Sequence, residues 1–396
     1  MVKYEKRKSL IISYYFPPIT SAASNVITSI VKFLLKDDVC VLRGKPNEKN
    51  AGAIVDNESE LDILQYICDL PTFLKKKSFK ISLPVYFNHL WIIVIIIKGL
   101  KIIRKNKIET IFALFPNHYY IIAAYFIQKI SKLPLSIYWV DVYQEGRPHF
   151  FERWVANYFE KRIFTSAKKN FVMTPFLKDH VRKKHGIETE VLPIPTELRP
   201  RHNNTDDLPK KNGEVNIVFT GSIYDAQLDA IINLINALKL IDEYKVNLLL
   251  ITTSSKEGLA KHGIISAGNI LISSAHRDEC IALQRQADIL FLPLAFNCPD
   301  PLVVKLSLPS KILEYFAAGK PILIHAPADS YIVSYAKERN FAVVVDNPDP
   351  EELKNAIFSL LNNNKMKDVI VQNARSTLLE HDARKISEII KNTLQL

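Results

Sequence analysis

The 396-residue chain reads as an α/β protein of two doubly wound, Rossmann-like parallel-sheet domains facing a cleft. Three observations predict this. Short β-branched runs alternate with helix-length segments, as parallel strands joined by right-handed crossovers do. The alternation comes as two series separated by one polar stretch, and sheets of this kind bind ligands at the carboxyl ends of their strands. The length itself suits two domains of ordinary size better than one core.

The first series predicts strands over 9–15, 38–42, 110–114, 136–139, 170–173 and 190–193. After Pro195 the stretch TELRPRHNNTDDLPKKNG has linker composition, which places a boundary over 196–213. The second series predicts strands over 216–220, 247–252, 270–272, 289–292, 321–324 and 342–345. A helical segment of mixed charge, 366–396, closes the chain. The division is then a first domain over 1–195, a second over 214–375 and a terminal helix over 376–396.

Composition narrows the function. With 48% hydrophobic and 23% charged residues the chain is globular rather than disordered. Cys40, Cys68, Cys280 and Cys298 are widely spaced. They read as reduced thiols of a cytosolic protein, with neither a disulfide framework nor a zinc site. The run Leu-Ile-Ile-Ser-Tyr-Tyr-Phe-Pro-Pro after the basic N-terminus is too short and too aromatic for a signal peptide, and reads as the first buried strand. A net charge of +11 asks for an anionic partner. Nucleic acid is not expected, because no nucleic-acid motif occurs and aromatic residues do not interleave with basic ones in a patch. A membrane surface fits better. Within 84–107, seven consecutive apolar residues from Trp91 to Ile97 precede Lys98, Lys101, Arg104, Lys105 and Lys107. The run is far short of the roughly 20 residues of a spanning helix. It is either a peripheral contact on the inner face of the cytoplasmic membrane or a core helix with a solvated basic end.

The densest chemistry lies in Leu308-Pro-Ser-Lys-Ile-Leu-Glu-Tyr-Phe-Ala-Ala-Gly-Lys-Pro-Ile-Leu-Ile324. Pro309 suits the start of a helix and Gly319 the residue past its end, so a short helix feeds a buried strand. A helix start carries free N–H groups and partial positive charge, a seat for phosphate. Pro309, Ser310 and Lys311 stand there. A cation in the first turn is locally unfavourable, which points to an anionic ligand, and Glu314 one turn later can accept hydrogen bonds from sugar hydroxyls. The alternative is an ordinary helix with a solvated Lys and Glu. Other phosphate-binding devices are missing. The 11 glycines give no Gly-x-Gly, and Gly258 and Gly263, at P-loop spacing, are followed by Ile264 and Ile265. No Asp-x-Asp, His-Glu-x-x-His or Gly-x-Ser-x-Gly occurs.

The stretch of form Pro-Ser-Lys-x-x-Glu-Tyr-x-Ala-x-Gly-Lys-Pro resembles the donor-site signature of family 4 glycosyltransferases, which have the GT-B fold. The resemblance spreads over most of the chain and is strongest from Asn216 to Asp346. It implies a retaining, metal-independent enzyme without a cofactor, whose substrate is a UDP- or GDP-linked sugar held by the second domain. The first domain would bind the acceptor, and the terminal helix would pack back on it. Glu314 matches the Glu that binds the donor ribose, and the helix start with Lys311 faces the diphosphate. The family often carries a second Glu eight residues earlier, where this chain has Leu306. Gly221 and Ser222 match the turn whose backbone amides approach phosphate. The cation the family commonly offers just after that turn is absent, so Lys311, with Arg277 as a second, must supply the charge. Ser274 and Arg277 lie in a loop that resembles the base cradle. Alternatively Ser274 caps the next helix while Asp278 and Glu279 complement its dipole.

In the first domain, Ser13-Tyr-Tyr-Phe-Pro-Pro-Ile-Thr-Ser-Ala-Ala-Ser-Asn25 resembles the family's first loop. Pro18, Ser21, Ala22 and Ser24 would then contact the acceptor, with small residues where the family usually has glycines. A plain strand-to-helix turn is the other reading. Trp139-Val-Asp-Val-Tyr-Gln-Glu145 resembles the Asp-Leu-Trp-Pro-Glu element of one branch, placing Asp141 and Glu145 at the acceptor. Asp141 would orient or deprotonate the acceptor hydroxyl, or else cap the next helix or pair with Arg147 or Arg153. His118 is an acceptor contact or aromatic packing. The expected function is transfer of a hexose-type sugar to a glycan or polyprenyl-linked acceptor in bacterial surface-polysaccharide assembly, with Asp141 and Lys311 in catalysis. A sugar-nucleotide epimerase and a non-catalytic relative acting as a binding module are the alternatives.

Overall fold

The computed structural model describes residues 7–19, 21–34, 37–45, 63–68, 89–146, 150–200 and 214–395. Residues 84–88 of the apolar basic segment, Arg147 and positions 201–213 of the expected linker lie outside the described residues. The chain divides into two compact units, Met1–Glu197 with Asp382–Leu396, and Leu198–His381.

The first unit runs β1 (Ser9–Ser13), α1 (Ala22–Val31), β2 (Val39–Gly44), β3 (Leu64–Cys68), α2 (Leu90–Asn106), β4 (Thr110–Phe115), α3 (His118–Ser131), β5 (Leu135–Trp139), α4 (Phe150–Ser166), β6 (Lys169–Val172), α5 (Pro175–His185) and β7 (Glu190–Val191). Its seven strands pair in parallel in the order β3-β2-β1-β4-β5-β6-β7. The central strands β1 and β4 are buried at every position, which is why they read as continuous apolar runs without alternation. Helix ends follow local chemistry. The Asn117 side chain accepts from the Tyr119 and Tyr120 amides at the start of α3, and Thr174 accepts from the Leu177 amide before Pro175 opens α5.

All six predicted runs of this series are strands, and β3 is an addition. It lies at the sheet edge with Leu64 and Ile67 exposed, so it carries no buried run to betray it. Of the two readings left open for α2, the structure shows a helix with one face packed in the core. Trp91 is only 7% exposed and packs edge-on against the rings of Tyr14 and Tyr120. Trp91, Ile92, Ile95 and Ile102 form the buried face, while the outer face carries Leu90, Ile93 and Ile97 and then Lys101, Arg104 and Lys105. The tryptophan of this helix is core.

The second unit runs β8 (Glu214–Thr220), α6 (Leu228–Leu238), β9 (Lys245–Ile251), α7 (Lys256–Ala260), β10 (Ile270–Ser273), α8 (Arg277–Gln286), β11 (Ile289–Pro293), α9 (Pro301–Leu306), α10 (Lys311–Ala318), β12 (Ile322–His325), α11 (Tyr331–Arg339), β13 (Val343–Val345), α12 (Pro350–Asn362) and α13 (Asn364–Leu378). Its six strands are parallel in the order β10-β9-β8-β11-β12-β13. The β8–β9 register runs from Glu214 opposite Lys245 to Thr220 opposite Ile251. Fully buried Phe219, Phe291, Leu248 and Leu323 anchor the core, each contributing roughly 1.5–3 kcal/mol by burial. The strand order reverses between β8 and β11, and such a switch point opens a crevice at the strand carboxyl ends.

The last helix, α14 (Ala383–Leu394), belongs to the first unit. The Ala383 amide donates to Thr196 O at 3.0 Å, and the Ser387 hydroxyl donates to Ile30 O at 3.1 Å. Among the described residues, no helix is long and apolar enough to cross a membrane.

Candidate active site

At the switch point of the second unit, β8 ends in Phe219-Thr-Gly-Ser222, and α10 presents Lys311, Glu314 and Tyr315 to it. Tyr315 sets the geometry. Its buried hydroxyl donates to Phe291 O at 3.1 Å and accepts from the Thr220 amide at 3.2 Å, tying α10 to the ends of β11 and β8. Lys311, one turn earlier on the same helix, lies with Nζ 4.1 Å from the centre of the Phe219 ring. Gly221 has φ +129, and a Cβ built on it would stand 2.5 Å from Lys311 Nζ. Glycine therefore serves twice here, for the backbone angle and for the room. Among the described residues no carboxylate forms an ion pair with Lys311. Burial pushes its ammonium down to about 8, with Glu314 opposing the shift.

The amide of Gly221 is not available to a phosphate, because it donates to Ile251 O at 2.9 Å. The Ile223 amide is likewise taken, by Ser254 Oγ at 2.9 Å. Ser222 is exposed, its hydroxyl 3.3 Å from that of Thr253. Gly221 thus contributes space for a cation rather than an N–H donor.

Helix α10 begins after Pro309 and Ser310, with the Ile312 and Leu313 amides bonded back to Pro309 O and Ser310 O. It ends at Gly319 in the left-handed region, φ +69. Leu306 closes α9 and is buried. Ser274 and Arg277 are both exposed ahead of and at the start of α8. Ser274 is not the cap of that helix. His276 is, its amide donating to Glu279 Oε2 at 2.9 Å.

Gln284 on α8 was not foreseen. It is fully buried, and its Nε2 donates to Thr220 Oγ1 at 2.8 Å and to Glu314 Oε2 at 3.1 Å. A carboxylate only accepts, so the amide nitrogen must face Glu314. Nothing in the local sequence marks this residue. In Arg-Asp-Glu-Cys-Ile-Ala-Leu-Gln-Arg-Gln it resembles a solvated helix position, and only the packing of α8 on β8 and α10 buries it.

In the first unit, Ser21 caps α1 by accepting from the Ser24 amide at 3.0 Å, Ala22 is exposed and Ser24 is buried. Pro18 follows a cis Pro17–Pro18 bond and is half-buried. His118 is buried with both ring nitrogens engaged, one 3.1 Å from His89 Nε2 and the other 3.0 Å from the Tyr143 hydroxyl. Asp141 accepts from the amide of its own neighbour Val142 at 2.8 Å, and Arg153 reaches Glu145 O at 3.4 Å. Asp141 and Glu145 line one narrow pocket with Glu160, His180, Lys184 and His185. Glu145 is a member of an internal ion network there: Lys184 Nζ lies 2.7 Å from Glu145 and 2.5 Å from Glu160, which also pairs with His185 at 3.0 Å. Burial alone raises the Glu145 carboxyl, but His180 and Lys184 together bring it down to about 2.

Residues 214–363 match the family described as glycosyl transferases group 1. The whole chain superposes on solved GT-B enzymes. HepE of Anabaena in complex with UDP-glucose has 14% identity and a TM-score of 0.70 over 98% of this chain and 99% of that one. Sucrose-phosphate synthase of Thermosynechococcus elongatus has 13% identity and a TM-score of 0.73, covering 98% of each. A glycosyltransferase of Rickettsia africae has 16% identity and a TM-score of 0.66 over 99% of each. The chain has the GT-B fold, and its second unit carries a glycosyl transferases group 1 match. No curated protein sequence matches it. The match to the group 1 family covers the unit that carries Gly221, Gln284, Lys311 and Glu314, so the family signal lies around that cluster.

Proposed function

We propose that the chain is a glycosyltransferase that moves a hexose-type sugar from a UDP-linked donor to a glycan or polyprenyl-linked acceptor, with retention of configuration, in the assembly of a bacterial polysaccharide. The observation that carries the donor reading is the Lys311 ammonium, held without a carboxylate partner against Gly221 at a helix start, with Glu314 one turn away. A cation kept in that state is a seat for a departing diphosphate. Its charge is stabilised when the leaving group develops its own, which is transition-state stabilisation by a preorganised group. Glu314, oriented by Gln284, would hold the ribose hydroxyls and so place the sugar for attack. HepE, solved in complex with UDP-glucose, supports a uridine nucleotide over a guanosine one. Asp141, in this reading, orients the acceptor hydroxyl.

Calorimetric titration of UDP and GDP into the wild type, Lys311→Ala and Glu314→Ala tests it. The expected result is micromolar affinity for UDP that falls in both variants. Binding of neither nucleotide to the wild type would sink the donor reading.

A further inference from the structure

The helices α2, α3 and α4 cover one face of the first sheet, α2 packing on α3 and α3 on α4. On α4 the side chains of Phe150, Trp154 and Tyr158 are 85%, 59% and 51% exposed. Their spacing of four places them on one side of the helix. Lys161 and Arg162 continue that side, with the Arg162 guanidinium 3.8 Å from the Tyr158 ring centre. Large exposed aromatics in a row are unusual on a solvated helix and mark an interaction surface. The ridge does not stand alone. The ring of His89, at the head of α2, lies 5.1 Å from that of Phe151, so the exposed Leu90, Ile93 and Ile97 stripe of α2 starts beside it.

The charges on these three helices choose the occupant. Their only carboxylates are Glu152, which accepts from the Tyr119 hydroxyl at 2.9 Å, and Glu160, buried in its ion pairs. The exposed charges left are cationic: Lys101, Arg104 and Lys105 on α2, Lys129 on α3, Arg153, Lys161 and Arg162 on α4. Aromatic rings with a polar edge, aliphatic side chains and long basic side chains together match the boundary between acyl chains and anionic headgroups. A nucleic acid would leave Ile93 and Ile97 without a role.

We propose that the outer face of α4, with the adjoining stripe of α2, docks on an anionic lipid surface. The reading of a lipid-linked acceptor is served by this, but docking is measured without donor or acceptor, so either can fail alone. The aromatic ridge does the work that Trp91, turned into the core, cannot do.

Of the three tryptophans, Trp91 and Trp139 are buried and Trp154 is exposed, so surface-dependent emission reports on α4. The full chain is titrated with phosphatidylglycerol–phosphatidylcholine vesicles and with phosphatidylcholine alone, each with and without brominated acyl chains. The expected result is a blue shift and bromine quenching with the anionic vesicles only, absent in Trp154→Phe, which still sediments with them. Lys161→Gln with Arg162→Gln should weaken partition at least about tenfold, and added salt should weaken it further. Far-ultraviolet circular dichroism and the melting temperature of these variants stay at the wild-type values, which shows they are folded. Absent vesicle binding, or binding that leaves Trp154 unquenched, overturns the proposal. So does self-association abolished by Trp154→Ala, which would make the ridge a contact between copies of the chain.

Discussion

Two lysines, one in each unit, were built to opposite ends. Lys184 sits between Glu145 and Glu160 at 2.7 and 2.5 Å, so its charge is spent inside the protein. Lys311 has a phenyl ring beneath it and a glycine beside it, and burial pushes it down to about 8. A neutralised cation holds a loop in place, whereas a cation kept short of countercharge waits for a ligand. Costly arrangements of the second kind cluster at functional sites, which is what makes Lys311 a candidate. On the proposed donor reading, the difference separates a structural lysine from a ligand-binding one.

Removing each charge is the most severe test of that contrast. Lys311→Met is expected to lose UDP affinity by about ten- to a hundredfold, the worth of one charge-assisted hydrogen bond to a diphosphate. It should also melt higher than the wild type, because a buried, unpaired charge is gone. Lys184→Met should do the reverse, losing about 2–3 kcal/mol of stability by stranding two carboxylates while the folded fraction still binds UDP. Calorimetry with thermal unfolding reads both. A stabilised Lys184→Met, or a destabilised Lys311→Met, would dissolve the comparison.

The pH windows sharpen it. The Glu145 carboxyl is depressed to about 2 in the fold, so its stabilisation is present above its ordinary value and lost as pH falls from about 4.5 toward 2. Glu145→Gln should flatten that part of the stability profile. Lys311 titrates the other way. Its folded value lies below its ordinary 10.5, so charging it costs stability below about pH 8, and this cost disappears as pH rises from 8 to 10.5. UDP affinity should therefore fall above about pH 8, while the contribution of this group to stability rises. Lys311→Arg, if it binds UDP, should hold affinity to higher pH because a guanidinium does not titrate there.

How far the sequence could go is visible in the same residues. Lys311 and Glu314 lie on one helix that Gly319 ends, so local spacing and the family resemblance together were enough to single them out. The parallel sheets were legible because central strands are buried on both faces and announce themselves as apolar runs. Strand β3 at the edge did not, with Leu64 and Ile67 turned to solvent. Glu145 looked available to an acceptor because its partners His180 and Lys184 come from α5, more than thirty residues on in the chain. Whether Trp91 faced the core or an interface stayed open because an apolar run does not tell which side of a helix faces the sheet. Lost information in each case was tertiary.

Gly221 connects the local and the tertiary. Gly221→Ala places a methyl in the path of Lys311 Nζ and holds a backbone angle that L-residues resist. Stability should drop by about 1–2 kcal/mol and UDP affinity by several-fold, since the ammonium must move. If Lys311 is swung aside with no change in affinity, the position of its charge is not what binds the diphosphate.

The subtlest expectation concerns Gln284, which shares the site with charged neighbours. Facing Glu314 with it are Lys311 and Tyr315 from α10 and Cys280 from its own helix. If Gln284 orients the carboxylate by donating to it, Gln284→Leu should weaken UDP binding a few-fold at every pH. Gln284→Glu introduces a second carboxyl that cannot ionise easily beside Glu314, so the pair shares a proton at low pH. That proton restores the donated hydrogen bond, and affinity near pH 5.5 should approach the wild-type value. As pH rises the proton is lost, two like charges meet in a buried place, and affinity should fall by about tenfold relative to wild type. A residue that merely filled space would give the opposite ranking, with Leu harmless and no pH dependence in Gln284→Glu beyond that of Lys311. The shape of the Gln284→Glu profile below pH 8, where Lys311 stays charged, therefore decides whether the buried amide aims Glu314 or only supports the helix beneath it.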